Sequence, residues 1–206
     1  MNILYNMKAA RNKKLLNYLF LYNIFSCFGW ISIFLYTFFI QKNSLIDYHY
    51  KQLIFLLKYV QTFSVLEIVN ACFGITSSPV FTTILQVSSR LLLCWGILNL
   101  YPSIVLKTTA FFSMIYAWSI TEIVRYSYYA SNLKKKAPSM LLWLRYNLFY
   151  ILYPLGTSSE ILLIWKTLPY IDHEKHVYAL ILKGILMIYI PGFYIMYKHM
   201  IYQRRK

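Results

Sequence analysis

Six stretches of about 20 apolar residues, parted by short polar or charged gaps, leave this chain few ways to fold, because about 20 residues of helix cross a bilayer core. They run approximately over 15–40, 52–75, 80–100, 104–128, 140–165 and 177–197. In lipid every backbone N–H and C=O has to be paired internally, so runs of this length read as helices rather than open strands. Ser77-Ser78-Pro79, Tyr101-Pro102-Ser103 and the segment 131–139 supply the Pro, Ser and charge that end them. Lys58, Glu67, Glu122 and Arg125 fall inside the second and fourth runs, where hydropathy alone would shorten or miss a span. The expected architecture is an all-α integral membrane protein, six transmembrane helices in one bundle, with residues 1–206 as a single domain. No internal repeat or long linker divides it.

Composition excludes the soluble alternatives. The 206 residues are 59% hydrophobic and only 13% charged, too apolar for a soluble domain of this size. Lys plus Arg number 21 against 6 Asp plus Glu, a net charge of +15. A basic balance can signal nucleic acid, but these cations gather between apolar runs, where membrane topology puts them, so no nucleic acid partner is expected. With the N-terminus inside, one face receives Lys8, Arg11, Lys13, Lys14, Lys134, Lys135, Lys136, Lys198, Arg204, Arg205 and Lys206. The other receives only Lys42, Lys51, Lys107, Lys166 and Lys175. The asymmetry predicts that both termini are cytosolic. The first apolar run exceeds a secretory h-region and lacks a small-x-small cleavage site, so it reads as a span. Cys27, Cys72 and Cys94 have no CxxC or Cys/His neighbour and read as small core residues.

Ionisable side chains inside lipid need a partner or a cavity, and Lys58, Glu67, Arg90, Glu122, Arg125, Arg145 and Glu160 all fall there. Glu122 and Arg125, three apart, suit a local pair. Glu67 is placed to neutralise Arg90 or Arg145 from another helix, while Lys58, Arg145 and Lys183 lie close enough to helix ends to snorkel. Glu160 stands apart, in Leu152-Tyr153-Pro154-Leu155-Gly156-Thr157-Ser158-Ser159-Glu160. Seven helical steps of about 100° return Tyr153 and Glu160 to nearly one face, about 10 Å apart along the axis. Pro154 and Gly156 predict a kink between them. Sequence physics leaves two readings of this segment open: a polar site, or close helix packing with Glu160 paired to an arginine.

Several of these segments are shared with a known family. Leu66-Glu67-Ile68-Val69-Asn70, Ser78-Pro79-Val80, Gln86-Val87-Ser88-Ser89-Arg90, Trp118 through Tyr126, Leu144-Arg145-Tyr146, and Tyr153-Pro154-Leu155-Gly156 through Ser159-Glu160 occur in order. Together they resemble the very-long-chain 3-hydroxyacyl-CoA dehydratases, also called the protein tyrosine phosphatase-like A family. The resemblance is close over about 61–163. It implies a six-span protein of the endoplasmic reticulum membrane that dehydrates 3-hydroxyacyl-CoA to trans-2-enoyl-CoA, the third step of very-long-chain fatty-acid elongation. It also implies Tyr153 and Glu160 as the catalytic pair, and association with elongase and reductases. The phosphatase name finds no support in the residues, since a thiol phosphatase needs arginine six positions after its cysteine and Ser78 occupies that place after Cys72.

Dehydration removes a proton beside a thioester carbonyl and expels hydroxide from the next carbon, so one group takes a proton and another gives one. Glu160 is the preferred base, and Tyr153 the acid or carbonyl donor; the reverse assignment stays open. Arg90, Glu122, Arg125, Tyr126 and Arg145 are candidates to orient that pair or the substrate. No metal, nucleotide or flavin motif is present, and no cofactor is expected, CoA being part of the substrate. His49, His173, His176 and His199 fall in loops or near helix ends, as solvated surface. Lys134-Lys135-Lys136 reads first as a topology signal and a contact for anionic lipid, with CoA phosphates as the alternative. A noncatalytic scaffold would share the spans without needing Tyr153 and Glu160, and a transporter would show paired broken helices in related halves.

Overall fold

Each apolar run becomes helix in the computed structural model, which describes residues 2–43, 46–106, 108–134 and 137–204. Lys107, Lys135, Lys136, Arg205 and Lys206 lie outside the described residues, as do the side chains of Lys8, Arg11, Lys13 and His199. All regular elements among the described residues are helical: α1 (Asn2–Lys42), α2 (Ile46–Phe63), α3 (Val65–Cys72), α4 (Val80–Leu91) continued by a π-helical segment (Leu92–Leu98), α5 (Pro102–Val105), α6 (Ala110–Leu133), α7 (Ser139–Asn147), α8 (Phe149–Glu174) and α9 (His176–Arg204).

Among the described residues, four helical stretches are long and apolar enough to cross a membrane: Lys14–Lys42, Asp47–Cys72, Val80–Leu98 and His176–Tyr202. The pair α7 and α8, bent by 45° where they meet, makes a fifth if it is one span. The outward faces carry Phe25, Phe28, Leu35 and Phe38 on α1 and Met187, Ile188, Ile190 and Ile195 on α9, all exposed. Lipid is the solvent that makes such faces stable. α6 does not qualify by composition, and its packing explains why. It lies against α1 on one side and α8 on the other, burying Phe111, Met114, Ile115, Trp118, Glu122 and Tyr126. A helix enclosed by other helices meets protein rather than lipid, so it can carry the polar groups that an exposed span cannot.

Three features depart most from the reading of the apolar runs. The helix of the second run begins six residues before Gln52, at Ile46, and the run's helices end at Cys72 rather than Ile75. There Gly74 takes φ +63°, its N–H donates to the Ala71 carbonyl at 3.1 Å and that of Ile75 to Asn70 at 2.8 Å. This double return closes the end of α3, and the left-handed residue it needs favours glycine. Cys72 is consequently exposed at that end instead of lying in the core, whereas Cys27 and Cys94 are buried as expected. The fourth run was expected from Ile104, but Pro102 starts the separate short helix α5 and the long helix begins only at Ala110.

The third difference is the kink. α8 continues through Pro154 and Gly156, and the bend sits at Leu148. Proline lacks the N–H that would bond four residues back and its ring presses on that carbonyl, so its effect falls on the preceding turn. Gly156 instead serves packing: a Cβ there would meet Ala117 Cβ at 3.6 Å and Trp118 Cδ1 at 3.9 Å, so α8 lies close on α6. Interruptions also extend beyond the fifth span. Ser64 turns its hydroxyl onto the Gln61 carbonyl at 2.6 Å between α2 and α3, and the third span ends in the π segment.

The π segment makes one tight contact. A Cβ on Gly96 would collide with the buried Tyr178 hydroxyl on α9. Gly96→Ala is therefore expected to lower the melting temperature of the detergent-solubilised protein, and Gly96→Ala with Tyr178→Phe to recover most of the loss, since removing one oxygen opens the space the methyl needs. Equal melting of the single and double variants would contradict this contact.

Candidate active site

One face of α6 organises the polar interior. Trp118, Glu122 and Arg125 or Tyr126 follow at intervals of four and three or four, one helical face. Glu122 accepts from Arg125 Nε at 2.7 Å on its own helix and from Arg90 Nη1 of α4. Arg125 also reaches Glu67 of α3 with two parallel bonds, Nη1 to Oε2 at 2.9 Å and Nη2 to Oε1 at 2.7 Å. Tyr126 and Tyr22 both donate to Glu67 Oε1, the latter at 3.3 Å. The local pair read from the three-residue spacing of Glu122 and Arg125 is present. Glu67, however, pairs with Arg125 and not with Arg90 or Arg145, because Glu122 occupies Arg90 and Arg145 lies on α7. There Arg145 sits among Tyr128, Tyr129 and Tyr146, with its guanidinium 4.8 Å from the Tyr128 ring centre.

The network continues toward Glu160 through Trp118. The Arg90 guanidinium stacks 5.2 Å from the Trp118 ring centre, and the indole Nε1–H donates to Glu160 Oε1 at 2.8 Å. The second carboxylate oxygen accepts from the Tyr189 hydroxyl of α9, also at 2.8 Å. Glu160 has no ion-pair partner among the described residues, whereas Glu67 and Glu122 share Arg90 and Arg125. Three carboxylates face two guanidiniums, and Glu160 is the one left with neutral donors. Close packing is present at Gly156, but the arginine partner for Glu160 that went with that reading is absent among the described residues.

Tyr153 lies on the same helix, two turns before Glu160. Its ring is stacked on Phe193, with centres 5.3 Å apart and planes 12° from parallel, and near-parallel to Tyr197 at 6.2 Å. No direct hydrogen bond joins Tyr153 to Glu160 among the described residues. Antiparallel packing of α8 and α9 puts Phe193 and Tyr197 beside Tyr153 and Tyr189 beside Glu160. Of the three hydroxyls between them in sequence, Ser159 bonds across to Ser113 of α6 at 2.7 Å, and Ser158 returns to the Leu155 carbonyl.

Arg90 thus comes close to the Glu160 end of the site, through Trp118. Glu122 holds Arg90 in place and also accepts from Arg125, Tyr126 serves the far end of the network at Glu67, and Arg145 joins neither Tyr153 nor Glu160 among the described residues. Sequence reasoning did not single out Trp118 or Tyr189. A signal for the latter existed: Tyr189, Phe193 and Tyr197 recur every fourth residue, an aromatic stripe along one face of the last helix. Outside the site, Lys58 reaches Asn99 Oδ1 at 2.7 Å and Lys183 reaches Asp172 at 2.7 Å. His49 meets Tyr36 at 2.9 Å, and His176 is largely exposed beside Asp172. Lys134 lies 3.8 Å from the Phe20 ring centre.

The fold and site define a class: a multi-pass helical membrane protein whose interior holds an ion-pair network ending at a carboxylate with no ion-pair partner among the described residues. The family model described as protein tyrosine phosphatase-like protein, PTPLA, matches residues 61–206, and the chain belongs to that family. A probable very-long-chain (3R)-3-hydroxyacyl-CoA dehydratase of Schizosaccharomyces pombe is 43% identical, covering 93% of this chain and 92% of the relative. A very-long-chain (3R)-3-hydroxyacyl-CoA dehydratase of Caenorhabditis elegans is 40% identical over 92% of this chain and 93% of its own length. The human very-long-chain (3R)-3-hydroxyacyl-CoA dehydratase 2 is 36% identical over 92% and 80%. No solved structure matches the chain.

Proposed function

We propose that this protein dehydrates long-chain 3-hydroxyacyl-CoA to trans-2-enoyl-CoA in fatty-acid elongation, as a lyase of the endoplasmic reticulum membrane. Family membership and the names of the relatives support the reaction. The observation that carries it to particular atoms is Glu160: a carboxylate inside a helical bundle, held by an indole N–H and a phenol rather than by a cation. A carboxylate kept for structure is paired, as Glu67 and Glu122 are. One without a counter-ion is free to take a proton.

In this proposal Glu160 takes the proton from C2 of the acyl chain, and Tyr153 gives its phenolic proton to the hydroxyl leaving C3. The C2–H electron pair becomes the double bond, the C3–O bond breaks, and water departs. The released water then carries the proton from Glu160 back to Tyr153, which restores both groups. Arg90 tunes the site through the face of Trp118, Glu122 holds Arg90, and Arg125 fixes Glu122 from its own helix. No cofactor takes part, since the thioester itself acidifies C2.

The proposed topology has six spans in one domain, with α6 as the fourth and α7 and α8 together as the fifth. α1 and α6 run antiparallel, Lys134 beside Phe20 and Gln41 beside Tyr116; Arg204 stacks on Tyr150 near the start of α8. Lys14, Lys134 and Arg204 then share one face, which the positive-inside rule makes cytosolic. CoA would approach from that side while the acyl tail lies among apolar helices. Elongase and reductases are the proposed partners. Purified protein supplied with a long-chain 3-hydroxyacyl-CoA should form the 2-enoyl-CoA; a noncatalytic scaffold would give no turnover at any chain length, in either direction.

A further inference from the structure

We infer that Tyr189 is a positioning residue of this site, its hydroxyl fixing the Glu160 carboxylate in the orientation that meets the substrate; the inference rests on the dehydratase proposal. A glutamate side chain has three rotatable bonds, and one that lacks an ion-pair partner needs other contacts to hold it in a single rotamer. Here two neutral donors from two different helices do so. Trp118 of α6 takes one oxygen and Tyr189 of α9 the other, each at 2.8 Å. Together they clamp the carboxylate between helices that flank α8 on either side.

The clamp leaves the chemistry intact. An ionised carboxylate offers about four lone-pair sites, so two donors still leave a lone pair on each oxygen for the substrate proton. Neutral donors also hold the group without neutralising it, as an arginine would. The register of α9 agrees with this assignment. Phe193 and Tyr197 on its face are stacked against Tyr153 through their rings, whereas Tyr189, one turn earlier, engages Glu160 through its oxygen. Ring packing and hydrogen bonding are therefore separable at this position: phenylalanine keeps the first and loses the second.

Three forms of the full chain, native, Tyr189→Phe and Trp118→Phe, would be purified in detergent and compared for melting temperature, kcat and KM in dehydration. Tyr189→Phe is expected to melt like the native protein and to keep KM within about twofold while kcat falls roughly 10- to 100-fold, the cost of a loosened catalytic group. Trp118→Phe, which frees the other oxygen, should show the same split. Native-like kcat in Tyr189→Phe would overturn the inference. So would a raised KM with unchanged kcat, which would put the hydroxyl on the substrate, or loss of the fold, which would make it a bundle contact. Absence of turnover in the native protein would instead count against the dehydratase proposal itself.

Discussion

Glu160→Gln should leave a folded protein that turns over roughly 10²- to 10⁴-fold more slowly than the native enzyme, the range over which a positioned general base contributes. Glutamine has nearly the shape of glutamate and its amide oxygen can still accept from the Trp118 indole. Its nitrogen cannot accept from Tyr189, but a phenol can accept from it, so the contacts survive in altered sense. Basicity does not. The change removes one negative charge from a cluster of three carboxylates and two guanidiniums, and no guanidinium loses its partner. Stability is accordingly expected to stay close to native while kcat collapses and KM is kept. Steady-state dehydration of a long-chain 3-hydroxyacyl-CoA, with a melting curve on the same preparation, checks both halves. Native kcat in this variant would remove Glu160 from the reaction.

Glu122→Leu is expected to have the opposite signature, a large loss of stability. Glu122 is 3% exposed and holds Arg90 of α4 against α6. Its removal strands the Arg90 guanidinium, while Arg125 keeps both bonds to Glu67. Breaking a buried pair by removing one partner typically costs about 3–5 kcal/mol, because the other charge is left without compensation. Adding Arg90→Met should return much of that loss, since the pair goes together and a flexible apolar side chain fills the space. Denaturation in mixed detergent, followed for the native chain, the two single variants and the double, gives the coupling directly. Additive losses would contradict an ion pair that joins α4 to α6.

Much of this was legible in the sequence because lipid imposes simple rules. Run length gave the helices, and charge spacing gave the Glu122–Arg125 pair. The fourth apolar run is where composition and packing part company: α6 carries Glu122 and Arg125 because α1 and α8 enclose it, a fact that lies in tertiary contacts. The bend at Leu148 and the early end of α3 at Gly74 depend on backbone details that hydropathy does not report. Spacing placed Tyr153 and Glu160 on one helical face, and the family's motifs made them the candidate pair. Glu67, by contrast, could not be assigned its partner among several arginines without the positions of α3 and α6. Tyr189 and Trp118 were hidden for a related reason. An aromatic residue in a span is ordinary in sequence, and only the neighbouring carboxylate gives its N–H or O–H a role.

The most direct measurement is formation of trans-2-enoyl-CoA from a long-chain 3-hydroxyacyl-CoA by the purified protein, run beside folded Tyr153→Phe and Glu160→Gln variants. Turnover by the native chain that is lost in both variants is the expected result. Turnover that survives both substitutions, or none from the native chain across acyl lengths and in the reverse hydration, would contradict a Tyr153–Glu160 dehydratase.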